Sequence, residues 1–142
     1  MPEPSRTRRF LDAYRAAFEA FDVEAIADLF SYPCQLASDA GEVTVTTVAT
    51  RAAWVPQVER LVSAYRAVGV CSAAFTELHA IELTSRLAQV TVRWTLADGM
   101  GRSIYDFEAS YSLADHGNGM RIAAIAHNEA LRLRAALGLR AE

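Results

Sequence analysis

The sequence contains no lysine, so arginine supplies all 14 of its basic residues. Acidic residues number 17 and bring the net charge to −3, which excludes the basic field that a nucleic-acid backbone requires. One local basic cluster, Arg6, Arg8 and Arg9, is followed closely by acidic residues and is interpreted as a solvated first helical turn. Nucleic-acid binding is therefore not expected.

Long apolar runs are also missing. No stretch reaches the roughly 18 apolar residues of a membrane span, and charges flank every short apolar segment near the N-terminus, unlike in a signal peptide. We therefore predict a cytoplasmic protein without a membrane partner.

Cysteine and histidine are scarce. Cys34 and Cys71 are expected to be reduced thiols, because the sequence carries no export signal. His79, His116 and His127 are scattered, and neither cysteine has a ligand neighbour at zinc spacing. We predict neither a metal site nor a cofactor.

The chain does have enough apolar sequence for one core. Its 142 residues are 52% apolar and 22% charged, values typical of a single globular domain, here residues 1–142.

Helical periodicity of apolar residues appears in three segments. Residues 5–21 predict an amphipathic helix, and Asp22 is placed to cap a shorter second helix. Thr50 is placed to cap a third helix that ends at Gly69, with a bend or a restart at Pro56.

Strand-like alternation fills most of the remaining chain. The predicted strands are 32–38, 42–48, 71–84, 87–97, 102–114 and 119–128, followed by a helical tail at 129–142. The first two form a small hairpin, and turn residues separate the last four. An antiparallel pairing of the two middle long strands would set Arg93 beside Asp106 and Glu108 on the outer face.

Three segments carry a family resemblance: "YRAAFEAFDVEAIADLF", "GRSIYDFEASYSL" and "GMRIAAIAHNE". With this order of elements, residues 8–128 resemble the nuclear transport factor 2-like (cystatin-like) superfamily, in its SnoaL-like and ketosteroid-isomerase-like branches. The resemblance implies an α+β fold in which helices pack in the concave face of a curved, mostly antiparallel sheet. It also implies a cone-shaped cavity and frequent homodimers. Because members include enzymes, binders and assembly modules, the fold alone does not choose a function.

The steroid isomerases of this superfamily keep a tyrosine on the first helix as an oxyanion donor, and Tyr14 matches it. Their proton-shuttling carboxylate aligns with Ser38, with Asp39 one position away, and the acid partner of their tyrosine aligns with Ala109. A steroid-type proton transfer needs both carboxyl groups. We therefore do not predict that activity.

The candidate catalytic residues are Tyr14, His79 and His127, each with an ordinary structural alternative. Tyr14 is either a donor in the pocket or a core tyrosine. Strand parity turns His79 inward, unless a bulge shifts it to the surface. The parity of the last strand turns Asn128 inward instead of His127, unless a bulge reverses it.

An apolar inner face rich in aromatic residues predicts a pocket for a small, mostly apolar ligand. Its expected lining is Tyr14, Phe18, Tyr32, Cys34, Ser38, Trp54, Trp94, Tyr105, Phe107, Tyr111 and Asn128. Binding without catalysis is the favoured function. The alternatives are a cofactor-independent isomerase, cyclase or dehydratase that uses Tyr14 with His79 or His127, and a dimeric interaction module that uses the outer sheet face.

Overall fold

The computed structural model describes residues 5–141 and the side chains of residues 5–138, so the ends of the predicted domain, 1–4 and 142, lie outside the described residues. The elements are α1 (Arg6–Glu19), α2 (Val23–Asp28), β1 (Phe30–Asp39), β2 (Val43–Val48), α3 (Arg51–Val68), β3 (Ser72–Thr84), β4 (Leu87–Ala97), β5 (Ser103–Asp115), β6 (Met120–His127) and α4 (Ala130–Ala141). The predicted α+β class is confirmed.

Local capping explains where the first three helices begin and end. The side chains of Ser5, Asp22 and Thr50 each accept a backbone N–H in the first turn of the helix that follows. Gly69 ends α3 in a left-handed conformation, with φ of 83°, that glycine adopts without strain. A single helix, α3, runs through Pro56, so of the two predicted alternatives, a bend or a restart, the restart is excluded. None of the described helices is long and apolar enough to cross a membrane.

The strands form one curved sheet in the order β2-β1-β6-β5-β4-β3. Only the β1–β6 pair is parallel, because the chain returns to β1 after the long meander of β3 to β6. The helices cover the inner face, where Leu11 of α1, Ile26 of α2 and Val58 of α3 are fully buried with Val90 and Ile122 of the sheet. The core therefore lies between the helices and the concave side.

The outer face of the sheet is polar where β4 meets β5. The Arg93 guanidinium donates to Asp106 Oδ2 at 2.9 Å and to Glu108 Oε1 at 2.7 Å, as the strand pairing predicts. These groups are more than a third exposed, so the ion pairs contribute little to stability.

Two bulges decide which side chains face inward. In β3 the register shifts between Thr76 and His79, with Glu77 at a φ of 54°, so Leu78 packs on the core and His79 is exposed on the outer face. Of the two orientations predicted for His79, the structure has the one in which a bulge shifts the side chain to the surface, and the inward orientation that a catalytic role needs is wrong. The side chain lies opposite Thr91 on the solvated side.

The second bulge lies in β6. Ser112 pairs with Ala124 and Leu113 pairs with Ile122, so Ala123 is an extra residue in the ladder. An extra residue reverses the strand parity beyond it. Consequently His127 faces inward and Asn128 does not, which corrects the inward placement expected for Asn128.

The burial pattern predicts opposite outcomes for two isoleucine truncations on strands. Ile122→Ala removes a fully buried side chain and should lower the free energy of unfolding by about 2–5 kcal/mol. Ile81→Ala, at a side chain that is 63% exposed, should change it by less than about 0.5 kcal/mol. Urea unfolding at neutral pH compares them, and equal losses would contradict the assignment of the inner face.

Candidate functional site

A cavity of about 110 Å³ lies between the inner face of the sheet and helices α1 and α3. Its aromatic lining consists of Tyr14, Phe18, Phe21, Trp54, Tyr65, Trp94, Phe107 and Tyr111. The other lining residues are Arg15, Glu19, Leu36, Leu61, Val70, Cys71, Ala73, Leu96, Ala109, Ile125, His127 and Glu129. The cavity is therefore largely apolar, with a few polar groups.

Tyr14 lies at the centre of the aromatic cluster. Its ring centroid is 5.0 Å from that of Phe18, 5.7 Å from that of Tyr111 and 6.4 Å from that of Trp94. The Tyr14 hydroxyl forms no hydrogen bond with another described residue. Burial raises the pKa of Tyr14 well above its ordinary value, and the nearby Tyr111 and Glu129 raise it further, so the phenol stays protonated. Tyr14 therefore lines the cavity, and its hydroxyl can donate a hydrogen bond to a ligand.

Two indole groups border the same space and differ in how they are satisfied. The Trp94 Nε1–H donates to the Tyr111 hydroxyl at 2.8 Å, which leaves the Tyr111 proton available to another acceptor. Trp54 Nε1 is the one side-chain nitrogen or oxygen among the described residues that is itself closed off from solvent and has no hydrogen-bond partner.

The acidic group of the cavity is Glu129, which sequence reasoning did not single out. Its side chain is buried, and its Oε2 accepts from the Tyr65 hydroxyl at 2.5 Å and from the Tyr105 hydroxyl at 2.8 Å. No described residue donates to Oε1. Desolvation raises the pKa of the Glu129 carboxyl, and the two phenol hydrogen bonds partly oppose that rise.

His127 is linked to Glu129 through the backbone. The Glu129 N–H donates to His127 Nδ1 at 3.1 Å, which assigns the ring proton to Nε2 in the neutral tautomer. Burial lowers the pKa of His127, so the ring stays neutral at physiological pH. His127 can therefore donate into the cavity from Nε2. Acting as a base would require the other tautomer and the loss of this hydrogen bond.

Charges in the remainder of the lining are already paired. The Arg15 guanidinium donates to Glu19 Oε1 at 2.6 Å. Glu19 Oε2 in turn accepts the backbone N–H of Ala73 at 2.9 Å, which ties α1 to β3. Among the described residues no group of three His, Cys, Asp or Glu side chains could hold a metal ion.

Most of the predicted pocket residues do meet at this cavity. Those in its lining are Tyr14, Phe18, Trp54, Trp94, Phe107 and Tyr111, and the catalytic candidate His127 lies there as well. The structure thus brings Tyr14 and His127 together and leaves the third catalytic candidate, His79, on the opposite face of the sheet.

Five other predicted pocket residues lie outside the lining, each held by a local contact. The Tyr32 hydroxyl donates to the carbonyl of Ala27, and the Ser38 hydroxyl bonds Thr44. Tyr105 reaches the site only through its bond to Glu129.

Cys34 and Asn128 complete this group. Cys34 is buried, and burial raises the pKa of its thiol to about 11, which disfavours the thiolate that a nucleophile needs. Asn128 accepts the backbone N–H of Glu108 through Oδ1 and donates to Glu108 Oε2, so both ends of its amide bond β5.

Glu129 is hard to identify as a cavity residue from sequence. It stands directly before α4, where an acidic residue ordinarily remains exposed and complements the helix dipole. The only local signal is its position one residue beyond the closing strand, in "AIAHNEA". Its burial depends on Tyr65, which lies 64 positions earlier in the chain.

A family model described as "NTF2-like protein (DUF6841)" matches residues 3–130. No curated protein matches the sequence.

Solved structures with the same fold come from several bacteria. An NTF2-like protein with a cystatin-like fold from Novosphingobium aromaticivorans has a TM-score of 0.67 at 15% identity, over 93% of this chain and 86% of that one. An NTF-2 like protein from Shewanella oneidensis has a TM-score of 0.67 at 13% identity, over 87% and 96%. An NTF2-like protein from Streptomyces avermitilis with a suggested dehydratase activity has a TM-score of 0.65 at 15% identity, over 87% and 92%. At these identities the likeness shows the fold alone.

The raised pKa of Glu129 predicts a specific pH dependence of stability. The folded state holds the Glu129 proton more tightly than the unfolded chain does. The stabilisation that this proton gives to the folded state is therefore complete below about pH 4.5 and is lost as the pH rises toward the folded pKa. Glu129→Gln keeps an oxygen acceptor for both phenols but cannot titrate. The free energy of unfolding of the wild type should therefore fall relative to that of the variant between pH 4.5 and pH 8.

Urea unfolding of both proteins across this range measures the difference. The contribution of His127, which has the opposite sign below pH 6.5, cancels because both proteins retain that residue. Parallel stability profiles would show that Glu129 titrates with an ordinary pKa.

Proposed function

This chain belongs to the NTF2-like family DUF6841, and from that premise we propose that its cavity binds a small, mostly apolar molecule with one or two polar groups. The observation that carries the proposal is an aromatic cavity that converges on a buried carboxyl group, Glu129. Concave apolar sites with a few placed polar groups are the usual form of a small-molecule site.

The size of the cavity limits the ligand. Its volume is about 110 Å³, and an apolar cavity of about 150 Å³ in another protein accommodates benzene. A single ring with a short substituent is therefore the expected scale. Steroid-sized ligands would need the cavity to widen.

The polar groups indicate where such a ligand would be oriented. The Tyr14 hydroxyl, the Tyr111 hydroxyl and His127 Nε2–H are all donors without a described acceptor. Trp54 Nε1–H is a further donor without a partner, and Glu129 Oε1 is an acceptor to which no described residue donates. A ligand would match this cavity if its apolar ring packed on the aromatic lining and its polar substituent formed hydrogen bonds with these groups.

A second candidate function is acid–base catalysis, favoured by one observation: a buried carboxyl with a raised pKa shares the cavity with the unpaired phenol of Tyr14. Such a pair has the two roles that proton transfer next to a carbonyl requires, a base and an oxyanion donor. In this candidate Glu129 takes the role of base for which His79 and His127 were predicted.

The homodimer implied by the resemblance stays a prediction. On the outer face of the sheet, Arg93 already pairs with Asp106 and Glu108 of its own chain. These charges favour no particular partner, so the interaction-module function has no support beyond the exposed face itself.

Filling the cavity should abolish binding. Ala109→Leu adds a larger side chain to the lining without changing a polar group, whereas Ala126→Leu adds the same atoms on the exposed outer face. Benzyl alcohol at 100 times its Kd should raise the free energy of unfolding of the wild type and of Ala126→Leu by about 2.7 kcal/mol. It should not stabilise Ala109→Leu. Equal stabilisation of all three proteins would place the binding site elsewhere.

The catalytic candidate predicts hydrogen–deuterium exchange next to a carbonyl. Cyclohexanone incubated with the protein in D2O should gain deuterium faster than in buffer, as measured by mass spectrometry. Glu129→Gln should slow the enzyme-dependent exchange by about 10²–10⁴-fold, because it removes the base. Exchange that does not depend on Glu129 would leave binding as the only function supported.

A further inference from the structure

We propose that the polar group of the ligand is a protonated amine, held by the Glu129 carboxylate and by the aromatic lining of the cavity. This inference rests on the proposed function, because it names the class of ligand that the same cavity takes.

Glu129 lacks a counter-charge. Among the described residues it is the only buried side chain that can ionise to a carboxylate, and none of their ion pairs involves it. A buried carboxylate is costly unless it is both hydrogen-bonded and paired with a cation. The protein supplies the hydrogen bonds, through Tyr65 and Tyr105, but no cation. A cationic ligand would supply the missing charge at Oε1.

The groups that face Glu129 are all uncharged at neutral pH. They are Tyr14 from α1, Tyr65 from α3, Tyr105 and Tyr111 from β5, and His127 from β6. Burial raises the pKa of each phenol and lowers that of the imidazole. No neighbouring group therefore offsets the negative charge of the ionised Glu129 carboxyl, and this charge would attract a cation.

The basic residues near the cavity are already engaged. Arg15 pairs with Glu19, and the Arg66 guanidinium lies 4.4 Å from the ring centroid of Phe21. The charged lining residues other than Glu129 thus neutralise each other. When Glu129 ionises, the cavity gains one net negative charge.

An amine suits this lining better than an anion or a neutral carbonyl. Aromatic rings attract cations through their quadrupoles, most strongly where water is excluded. An anionic ligand would instead place a like charge beside Glu129. A neutral carbonyl could accept from the Tyr14 hydroxyl or from His127 Nε2–H, but it would leave the Glu129 carboxylate without a counter-charge.

The inference predicts a linkage between binding and pH. Because burial raises the pKa of the carboxyl in the free protein, pairing with an ammonium group requires Glu129 to lose its proton. The affinity for the amine should therefore rise as the pH increases from 5 toward 8. A neutral ligand of the same shape should show no such rise.

Three probes of one shape test the charge preference: benzylammonium, benzyl alcohol and benzoate, measured by titration calorimetry at pH 7.5. The wild type should bind benzylammonium about 10- to 100-fold more tightly than benzyl alcohol, as expected for a hydrogen bond between charged groups, and benzoate most weakly. Glu129→Gln should lose this preference, so that benzylammonium no longer binds more tightly than benzyl alcohol. Glu59→Gln, which removes an exposed charge from α3, should retain the preference.

The outcomes separate this inference from the proposed function. If benzyl alcohol binds as tightly as benzylammonium, or if the preference survives in Glu129→Gln, the amine is excluded and the cavity still binds a small apolar molecule. If none of the three probes binds the wild type, both proposals fail. Should Glu129→Gln not fold, the wild type alone decides, because equal affinities for benzylammonium and benzyl alcohol exclude the amine.

Discussion

The hydrogen bonds of Glu129 join four elements of the fold, namely α3, β5, β6 and α4. Its carboxyl accepts from Tyr65 of α3 and Tyr105 of β5, its N–H donates to His127 of β6, and its carbonyl accepts from Leu133 of α4. Every polar group of the residue except Oε1 is therefore bonded within the protein. Because an unsatisfied buried polar group costs about 1–3 kcal/mol, these contacts restrict how the helices can sit on the sheet.

Two strand bulges set the remaining polar groups of the site. Without the extra residue in β6, Asn128 would point at the cavity and His127 at solvent, and without the bulge in β3 the same exchange would bring His79 inward. A bulge thus changes the chemistry of a site without changing any residue in it. Here it replaces an amide by an imidazole, and its neighbour Glu129 fixes that imidazole in the neutral, donating tautomer.

The fold was predictable from sequence to a greater extent than the site, for a physical reason. The helix caps at Asp22 and Thr50 and the alternation in β4 and β5 are local signals, and all of them appear in the structure. The bulges have no such signal, because they arise from pairing between strands. The burial of Glu129 likewise depends on partners 24 and 64 positions away. Tyr14 could be placed in the cavity because its helix is amphipathic, but its partners could not be identified.

The cavity differs from the site of the steroid isomerases in the position of its carboxyl group. The resemblance aligns their two carboxyl groups with Ser38 and Ala109, and in this structure Ser38 bonds Thr44 while Ala109 is a small lining residue. The carboxyl group comes instead from Glu129, on a different element. Two effects on the protonation of Glu129 oppose each other: burial favours the neutral acid, and the hydrogen bonds from the two phenols favour the carboxylate. Because these effects oppose each other, the charge of a bound ligand can decide whether Glu129 is neutral or ionised. A neutral occupant would leave a proton donor beside it, whereas a cation would stabilise the carboxylate, so that the proton is released to solvent and an ion pair forms.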